Sequence, residues 1–217
     1  MKKNFLFFDL DGTLTDSAPG IINSARYALS HFGIKPNDDV MLKFIGPPLL
    51  ESFQNLCGLD EENSREAIRL YREYFAVKGM FENSVYDGVY EMLEALRDEG
   101  KILAVATSKP EVYARKILDH FHLSEYFAHI SGAALDHVRM TKADVLRNAV
   151  RGTEISDLCQ GLMIGDRRHD VEGGNEVGME TLGVLYGYGS REELISAGAV
   201  DTAKTPSEVV SKILNFS

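Results

Sequence analysis

The stretch that decides the fold is Phe5 to Phe8 (FLFF), followed directly by Asp9 to Asp16 (DLDGTLTD). A short, continuous apolar run is typical of a strand that is buried on both faces of a parallel sheet. The run ends at two aspartates spaced two residues apart, although Asp-Gly alone usually marks only a turn. We predict a buried first strand whose carboxyl end carries Asp9 and Asp11.

Further apolar runs follow along the chain, and helical patterns separate them. The runs lie at Ile102 to Ala106, Phe127 to Ser131, Leu162 to Gly165 and Thr181 to Leu185. The helical patterns begin near Val89, Pro110, Thr141 and Asp170. Strands that alternate with helices indicate an α/β fold, with a Rossmann-like parallel sheet between layers of helices.

Residues 16–84 interrupt this alternation, because their apolar residues repeat only at helical spacing and no strand is expected among them. A parallel crossover needs only one helix, so about seventy helical residues exceed that need. We predict an all-helical domain at 16–84, inserted into an α/β core formed by 1–15 and 85–217. Its charged run from Asp60 to Glu62 is expected to be a solvated helix face.

Polar side chains follow several of the predicted strands, where open parallel sheets bind their ligands. Thr107 and Ser108 follow the second run, and Asp166 and Asp170 follow the run that ends at Gly165. Lys142 opens the helix that precedes this last run. The fold is therefore expected to bring carboxylates, a hydroxyl and an ammonium group to one edge of the sheet.

Several carboxylates at one sheet edge repel each other, and a cation with a preference for oxygen ligands relieves that repulsion. Mg²⁺ fits this requirement, whereas zinc favours nitrogen and sulfur ligands. None of the six histidines (31, 120, 122, 129, 137 and 169) has the spacing of a zinc helix, and only His169 lies within a motif. Cys57 and Cys159 are far apart and are expected to be reduced thiols.

Composition limits the partners and the location of the protein. The 217 residues include 23 basic and 33 acidic side chains, a net charge of -10, which disfavours nucleic acid and anionic membranes as partners. The longest uncharged stretches have about ten residues, against roughly 18 for a membrane span. The first apolar run meets Asp9 too early for a signal peptide. We expect a cytoplasmic monomer or homodimer.

The motifs together resemble those of a known family. Asp9 to Thr13, Thr107, Lys142 and Asp166 to Asp170 resemble the four motifs of the haloacid dehalogenase superfamily, and 16–84 is similar to the helical C1 cap of its subfamily I. Within it, the chain is most similar to the phosphoglycolate phosphatase and 5′-nucleotidase-like branch. The segments that carry this similarity are Ile45 to Pro48, Thr107 to Pro110 and Gly165 to Asp170, while Arg139 to Asp144 is closer to the nucleotidase-like relatives.

The resemblance implies a role for each motif residue. Asp9 would attack phosphorus and form an aspartyl-phosphate, and Asp11 would serve as general acid and base. Thr107 and Lys142, with backbone N–H groups near Leu10 and Ser108, would bind the phosphoryl oxygens. Mg²⁺ would be held by side chains from two of the motifs and by one main-chain carbonyl. These ligands would be Asp9, the carbonyl of Asp11, Asp166, and Asp170 directly or through water.

The implied activity is Mg²⁺-dependent hydrolysis of a small phosphorylated metabolite, such as phosphoglycolate, a nucleoside monophosphate or a sugar phosphate. A carboxylate at Asp11 favours phosphoryl transfer over dehalogenation, because a halide leaving group needs no proton. Ser108 and Lys43 are the candidates for substrate contact. A phosphosugar mutase of the β-phosphoglucomutase type and a phospho-accepting signalling module remain as alternatives.

Overall fold

The computed structural model describes residues 2–135 and 140–216. His137 and Arg139 of the sequence motifs lie outside the described residues. The described strands are β1 (Phe5–Phe8), β2 (Thr15–Asp16), β3 (Ser84–Val85), β4 (Ile102–Pro110), β5 (His129–Ala133), β6 (Gly161–Gly165), β7 (Glu180–Val184) and β8 (Asp201–Ala203).

Helices make up most of the remaining described chain. The α-helices are α1 (Ala18–Ser30), α2 (Asp38–Leu42), α3 (Leu49–Cys57), α4 (Glu61–Val77), α5 (Val89–Asp98), α6 (Glu111–His120), α7 (Lys142–Gly152), α8 (Arg168–Val177), α9 (Arg191–Ala197) and α10 (Pro206–Leu214). Short 3₁₀ turns lie at Gly79–Phe81, Ser124–Tyr126 and Leu158–Gln160. Within 2–135 and 140–216, no helix combines the length and apolar character that crossing a bilayer requires.

The strands β5-β4-β1-β6-β7-β8 form one parallel sheet in this order, as far as the described residues go. β1 lies inside the sheet, where Phe7 pairs with Ala104 of β4 and with Met163 of β6. Leu6, Phe7 and Phe8 have no exposed surface, and burying a large apolar side chain contributes about 1.5–3 kcal/mol. The prediction of a parallel α/β sheet flanked by helices is confirmed.

Some element boundaries differ from the sequence prediction. β4 continues past Ala106 to Pro110, with an irregular register between Thr107 and Pro110. β8 was not expected, because Asp201–Ala203 is short and lacks an apolar run. The two-residue strands β2 and β3 pair with each other and include Asp16 and Ser84, so the expectation of no strand in 16–84 was wrong at its two ends.

The chain contacts divide into two compact units, 1–15 with 85–217 and 16–84. In the first unit, one face of the sheet packs on α7 through a cluster of buried side chains: Phe7, Ala104, Ala106, Val145, Leu146, Ala149, Met163 and Met179. In the second unit, the buried residues of α1 and α4 form the interior, and the rings of Phe44 and Phe53 meet edge to face at 5.1 Å.

Candidate active site

The loop after β1 is held in place by backbone hydrogen bonds. The amide of Asp9 donates to the carbonyl of Ile164 in β6 at 2.9 Å, and the amide of Gly12 donates to the carbonyl of Thr15 at 2.8 Å. Gly12 has φ +82°, and a Cβ there would lie 2.2 Å from Asp166 Oδ2. Only glycine fits this position, so Asp-Gly serves both the turn and the approach to Asp166.

Lys142 connects the acidic residues of two strand ends. It is the first residue of α7, which Thr141 caps by accepting a hydrogen bond from the amide of Asp144. The Lys142 ammonium is buried and lies 2.8 Å from Asp9 Oδ1 and 2.6 Å from Asp170 Oδ1. Burial would lower the pKa of Lys142, but the charges of Asp170 and Asp9 outweigh it and raise that pKa, so the side chain stays protonated at neutral pH.

Asp166 and Asp170 are fully buried carboxyl groups at the end of β6 and the start of α8. Asp166 Oδ2 accepts from the amide of Tyr188 at 2.8 Å, and Asp170 Oδ2 accepts from the amide of Arg167 at 3.0 Å. Burial first, and then the charges of Asp170 and Asp9, raise the pKa of Asp166 well above its usual value. Burial also raises the pKa of Asp170, although Lys142 opposes this shift.

These carboxyl groups fit a divalent cation. Asp9, Asp166 and Asp170 each offer an oxygen within 4.8 Å of the others. Asp166 Oδ1 is buried without a hydrogen-bond partner among the described residues, and an unsatisfied buried oxygen is costly. The three carboxyl groups form an all-oxygen donor set, which Mg²⁺ prefers. The pKa of Asp166 is raised partly because the charges of Asp170 and Asp9 repel its own, and a bound Mg²⁺ would relieve this repulsion.

The loop after β7 completes the surroundings of Asp166, and the sequence analysis did not single it out. A Cβ on Gly187 would lie 2.1 Å from the carbonyl oxygen of Gly12 and 2.5 Å from Asp166 Cβ. The next residue, Tyr188, supplies the amide that binds Asp166. The signal was present, because this Gly-Tyr-Gly segment follows an apolar run just as the acidic motifs do.

A second ion pair lies at the end of β4. The ammonium of Lys109 is almost fully buried and lies 2.9 Å from Asp11 Oδ2. The amide of Lys109 donates to Thr107 Oγ1 at 3.2 Å, which turns the strand end. Thr107 is buried, whereas Ser108 is exposed. The sequence motif contained Lys109, but no role was predicted for it.

Two further predicted residues are Lys43 and His169. Lys43 is an exposed residue at the end of α2, in the 16–84 unit. The Nδ1 atom of His169 lies 3.5 Å from Glu172, an exposed carboxylate one turn further along α8. The structure thus joins Asp9, Asp170 and Lys142 directly, while His169 pairs within its own helix.

Comparison with known proteins agrees with this chemistry. The family model for haloacid dehalogenase-like hydrolases matches residues 6–184. The chain belongs to this family. The predicted resemblance is therefore confirmed, as are the predictions of a hydrolase and of a phosphatase-type member.

Individual proteins also match most of the chain. A 5′-nucleotidase of Pseudomonas aeruginosa is 46% identical over 87% of this chain and 86% of its own. The tyrosine-protein kinase PtkA of Mycobacterium tuberculosis is 45% identical over 85% of this chain and 62% of its own. The crystal structure of a predicted phosphatase from Clostridium acetobutylicum superposes with a TM-score of 0.92, at 46% identity and 100% coverage of both chains.

Proposed function

We propose that this haloacid dehalogenase-like hydrolase is a Mg²⁺-dependent phosphatase that hydrolyses the phosphomonoester of a small metabolite through an aspartyl-phosphate. One observation carries the proposal: the Asp9 carboxylate lies in contact with the buried Lys142 ammonium, beside two further buried carboxyl groups. A nucleophile that attacks a phosphoryl group needs positive charge next to it, because both reactants are anionic.

Asp9 is the proposed nucleophile, since it follows the innermost part of the sheet and its amide is fixed to β6. Its attack on phosphorus would expel the alcohol and form an acyl phosphate, and water would then release phosphate and regenerate the carboxylate. Lys142 stays charged through this cycle because Asp170 holds it on the other side. It would therefore bind the phosphoryl oxygens as they approach Asp9.

Asp11 is the proposed general acid and base, which protonates the leaving oxygen and later takes a proton from water. Thr107, buried at the end of β4, would donate its hydroxyl to a phosphoryl oxygen. The backbone amides near Leu10 and Ser108 would add further donors. Ser108 is exposed, so its side chain is available for a substrate contact.

Asp9, Asp166, Asp170 and the main-chain carbonyl of Asp11 are the proposed ligands of Mg²⁺. When bound, Mg²⁺ would neutralise carboxylate charge and polarise the phosphoryl group. Asp166 Oδ1 is available to it, as described above.

For the substrate, we propose nucleoside monophosphates first, which the name of the Pseudomonas relative supports, with phosphoglycolate and sugar phosphates next. Lys43 is the proposed contact for a distal anionic group of the substrate. A phosphosugar mutase remains the alternative, and isomerised sugar phosphate in place of free phosphate would favour it.

The name of the mycobacterial relative supports a second candidate, transfer of a phosphoryl group to a protein tyrosine. Both functions need phosphoryl binding at Asp9, but they differ in the acceptor. Incubation with labelled ATP and a tyrosine-containing protein, alongside phosphate release from monoesters, separates them, because a kinase would label the tyrosine and a phosphomonoesterase would release phosphate from the esters.

The test is a phosphate-release screen with nucleoside monophosphates, phosphoglycolate and sugar phosphates, in Mg²⁺ and in EDTA. We expect release in Mg²⁺ from at least one ester and none in EDTA. Asp9→Asn should release no phosphate while its circular dichroism is unchanged. Release that persists in EDTA would contradict the metal dependence, and release by Asp9→Asn would contradict the nucleophile.

A further inference from the structure

The buried ion pair of Lys109 with Asp11 has no part in the mechanism proposed above. The Lys109 side chain is only 6% exposed, and its ammonium lies 2.9 Å from Asp11 Oδ2. Burying an ammonium group costs several kcal/mol unless a partner compensates it, which is why lysine is rarely buried without a role. An ordinary solvated lysine would not occupy this position.

The two carboxyl oxygens of Asp11 have different surroundings. Oδ2 contacts Lys109, whereas Oδ1 is buried and has no hydrogen-bond partner among the described residues. A carboxyl group held by one oxygen cannot rotate freely, so the position of the other oxygen is fixed as well. Oδ1 is thus the oxygen left to exchange a proton with a bound substrate.

The backbone of β4 directs Lys109 to this position. Burial alternates at the strand end, with Thr107 and Lys109 buried and Ser108 exposed between them. The hydrogen bond from the Lys109 amide to Thr107 Oγ1 fixes the spacing between the two residues. The proposed phosphoryl-binding hydroxyl and the partner of Asp11 therefore belong to one short segment.

We propose that Lys109 is a positioning residue for Asp11, which holds Oδ2 so that Oδ1 faces the leaving oxygen. This inference rests on the proposed function. As the bond from Asp9 to phosphorus forms, the electron pair of the breaking P–O bond passes to the leaving oxygen, which takes the proton from Oδ1. In the second step a water loses its proton to Oδ1 as it attacks phosphorus, and the Asp9 carboxylate departs.

The leaving group provides the test of this role. 4-Nitrophenyl phosphate releases a phenol that is a much stronger acid than phenol itself, so its departure depends little on a proton, whereas phenyl phosphate needs one. The value of kcat/KM reports the steps through transfer to Asp9, which include protonation of the leaving oxygen. A lost positioning contact should therefore affect the two esters unequally.

The experiment measures kcat/KM of Lys109→Met for both esters in Mg²⁺. We expect a loss of about tenfold to a hundredfold for phenyl phosphate, the range of general acid catalysis and misplacement, and of less than about threefold for 4-nitrophenyl phosphate. Lys109→Arg keeps a charged donor and should recover part of the loss. Lys116→Met, which removes an exposed lysine on α6, is the matched control and should match the wild type.

A double-mutant cycle with Asp11→Asn tests whether the activity lost in Lys109→Met depends on Asp11. A purely structural role of Lys109 would not produce this dependence. If Lys109 acts through Asp11, Lys109→Met should cause no further loss in the Asp11→Asn protein. Thermal unfolding of each variant checks the fold. If Lys109→Met does not fold, Lys109→Arg serves for the same comparison, because it shifts the donor without removing the charge.

Two results would overturn the inference: equal losses for both esters, or a loss that adds to that of Asp11→Asn. Either would mean that Lys109 binds the substrate or supports the fold. Failure of the proposed function would look different, because the wild type itself would then release no phosphate from either ester. That result would overturn the inference together with the function.

Discussion

Each of the two units contains a cation that lies between two carboxylates, but the surroundings of the two cations are opposite. On α4 in the 16–84 unit, Arg69 lies 2.8 Å from Glu66 and 3.1 Å from Glu73, and all three side chains are about half exposed. Water solvates these charges whether or not they pair. Such surface ion pairs contribute little to stability.

In the core unit, Lys142 lies at similar distances from Asp9 and Asp170, but all three side chains are largely removed from water. Asp166 adds a fourth buried group, a carboxyl whose Oδ1 has no hydrogen-bond partner among the described residues. A protein under selection for stability alone would not need this arrangement, because apolar residues of the same volume are often at least as stable. The difference between the units indicates that the buried cluster exists for binding and chemistry.

Asp9→Asn, in the buried cluster, is the substitution with the largest expected effect on activity. Loss of the proposed nucleophile should lower kcat by at least about a thousandfold, because the amide cannot form the acyl phosphate. Steady-state phosphate release measures this effect, with Glu66→Gln on the exposed helix as control. A control that loses as much activity would show that the two clusters do not differ in function.

Lys142→Met should combine a loss of activity with a loss of stability. Removing the ammonium leaves Asp9 and Asp170 buried without their cation, and breaking a buried pair costs about 3–5 kcal/mol. Urea unfolding in EDTA measures the free energy of unfolding. An unchanged free energy of unfolding would mean that water solvates Asp9 and Asp170, which would contradict the burial of this cluster.

Asp166→Asn should have the opposite effect on stability in the absence of metal. It removes a carboxyl group whose charge is disfavoured by burial and by the neighbouring carboxylates, and we expect a gain of about 1–3 kcal/mol in EDTA. Mg²⁺ should stabilise the wild type and have little effect on the variant. Thermal unfolding with and without Mg²⁺ tests both statements, and a variant that is less stable than the wild type in EDTA would contradict them.

The pH dependence of this difference follows from the raised pKa of Asp166. Above the unfolded-state pKa of about 3.9, the native state binds more protons than the unfolded state, so this residue's contribution to stability falls as pH rises through its folded pKa. The gain from Asp166→Asn in EDTA should therefore be small near pH 4 and grow toward neutrality. Unfolding of both proteins across this range checks the sign, which a constant difference would contradict.

Arg69→Met gives the smallest expected effect. It removes a cation from between two carboxylates, just as Lys142→Met does, but water replaces the lost contacts. We expect an unfolding midpoint and a kcat within measurement error of the wild type. A midpoint that falls as far as that of Lys142→Met would show that exposure does not distinguish the two networks.

The sequence was sufficient for the features that depend on local pattern. FLFF predicted a strand buried on both faces, the Thr141 cap predicted the start of α7, and the strand-end rule brought Asp9, Asp166 and Asp170 together. These features follow from apolar runs, helix caps and the alternation of strands with helices, which are all visible in the sequence itself. The family resemblance added proposed roles that the contacts are consistent with.

Other features depend on contacts between distant segments, and no local pattern encodes them. The pairing of Lys109 with Asp11 requires the register of β4 beside β1, and the amide of Tyr188 reaches Asp166 only because Gly187 packs closely against Gly12. β8 was missed because three residues are too few for a periodic signal. These are consequences of tertiary structure.

The central claim is that Asp9, within the buried cluster, accepts the phosphoryl group. The most direct measurement is an acid-quenched reaction with a radiolabelled phosphoester, followed by peptide mapping of the labelled protein. We expect Mg²⁺-dependent label on Asp9, removable by hydroxylamine and absent from Asp9→Asn. Phosphate release without any labelled protein in a single turnover, or label that persists in Asp9→Asn, would contradict it.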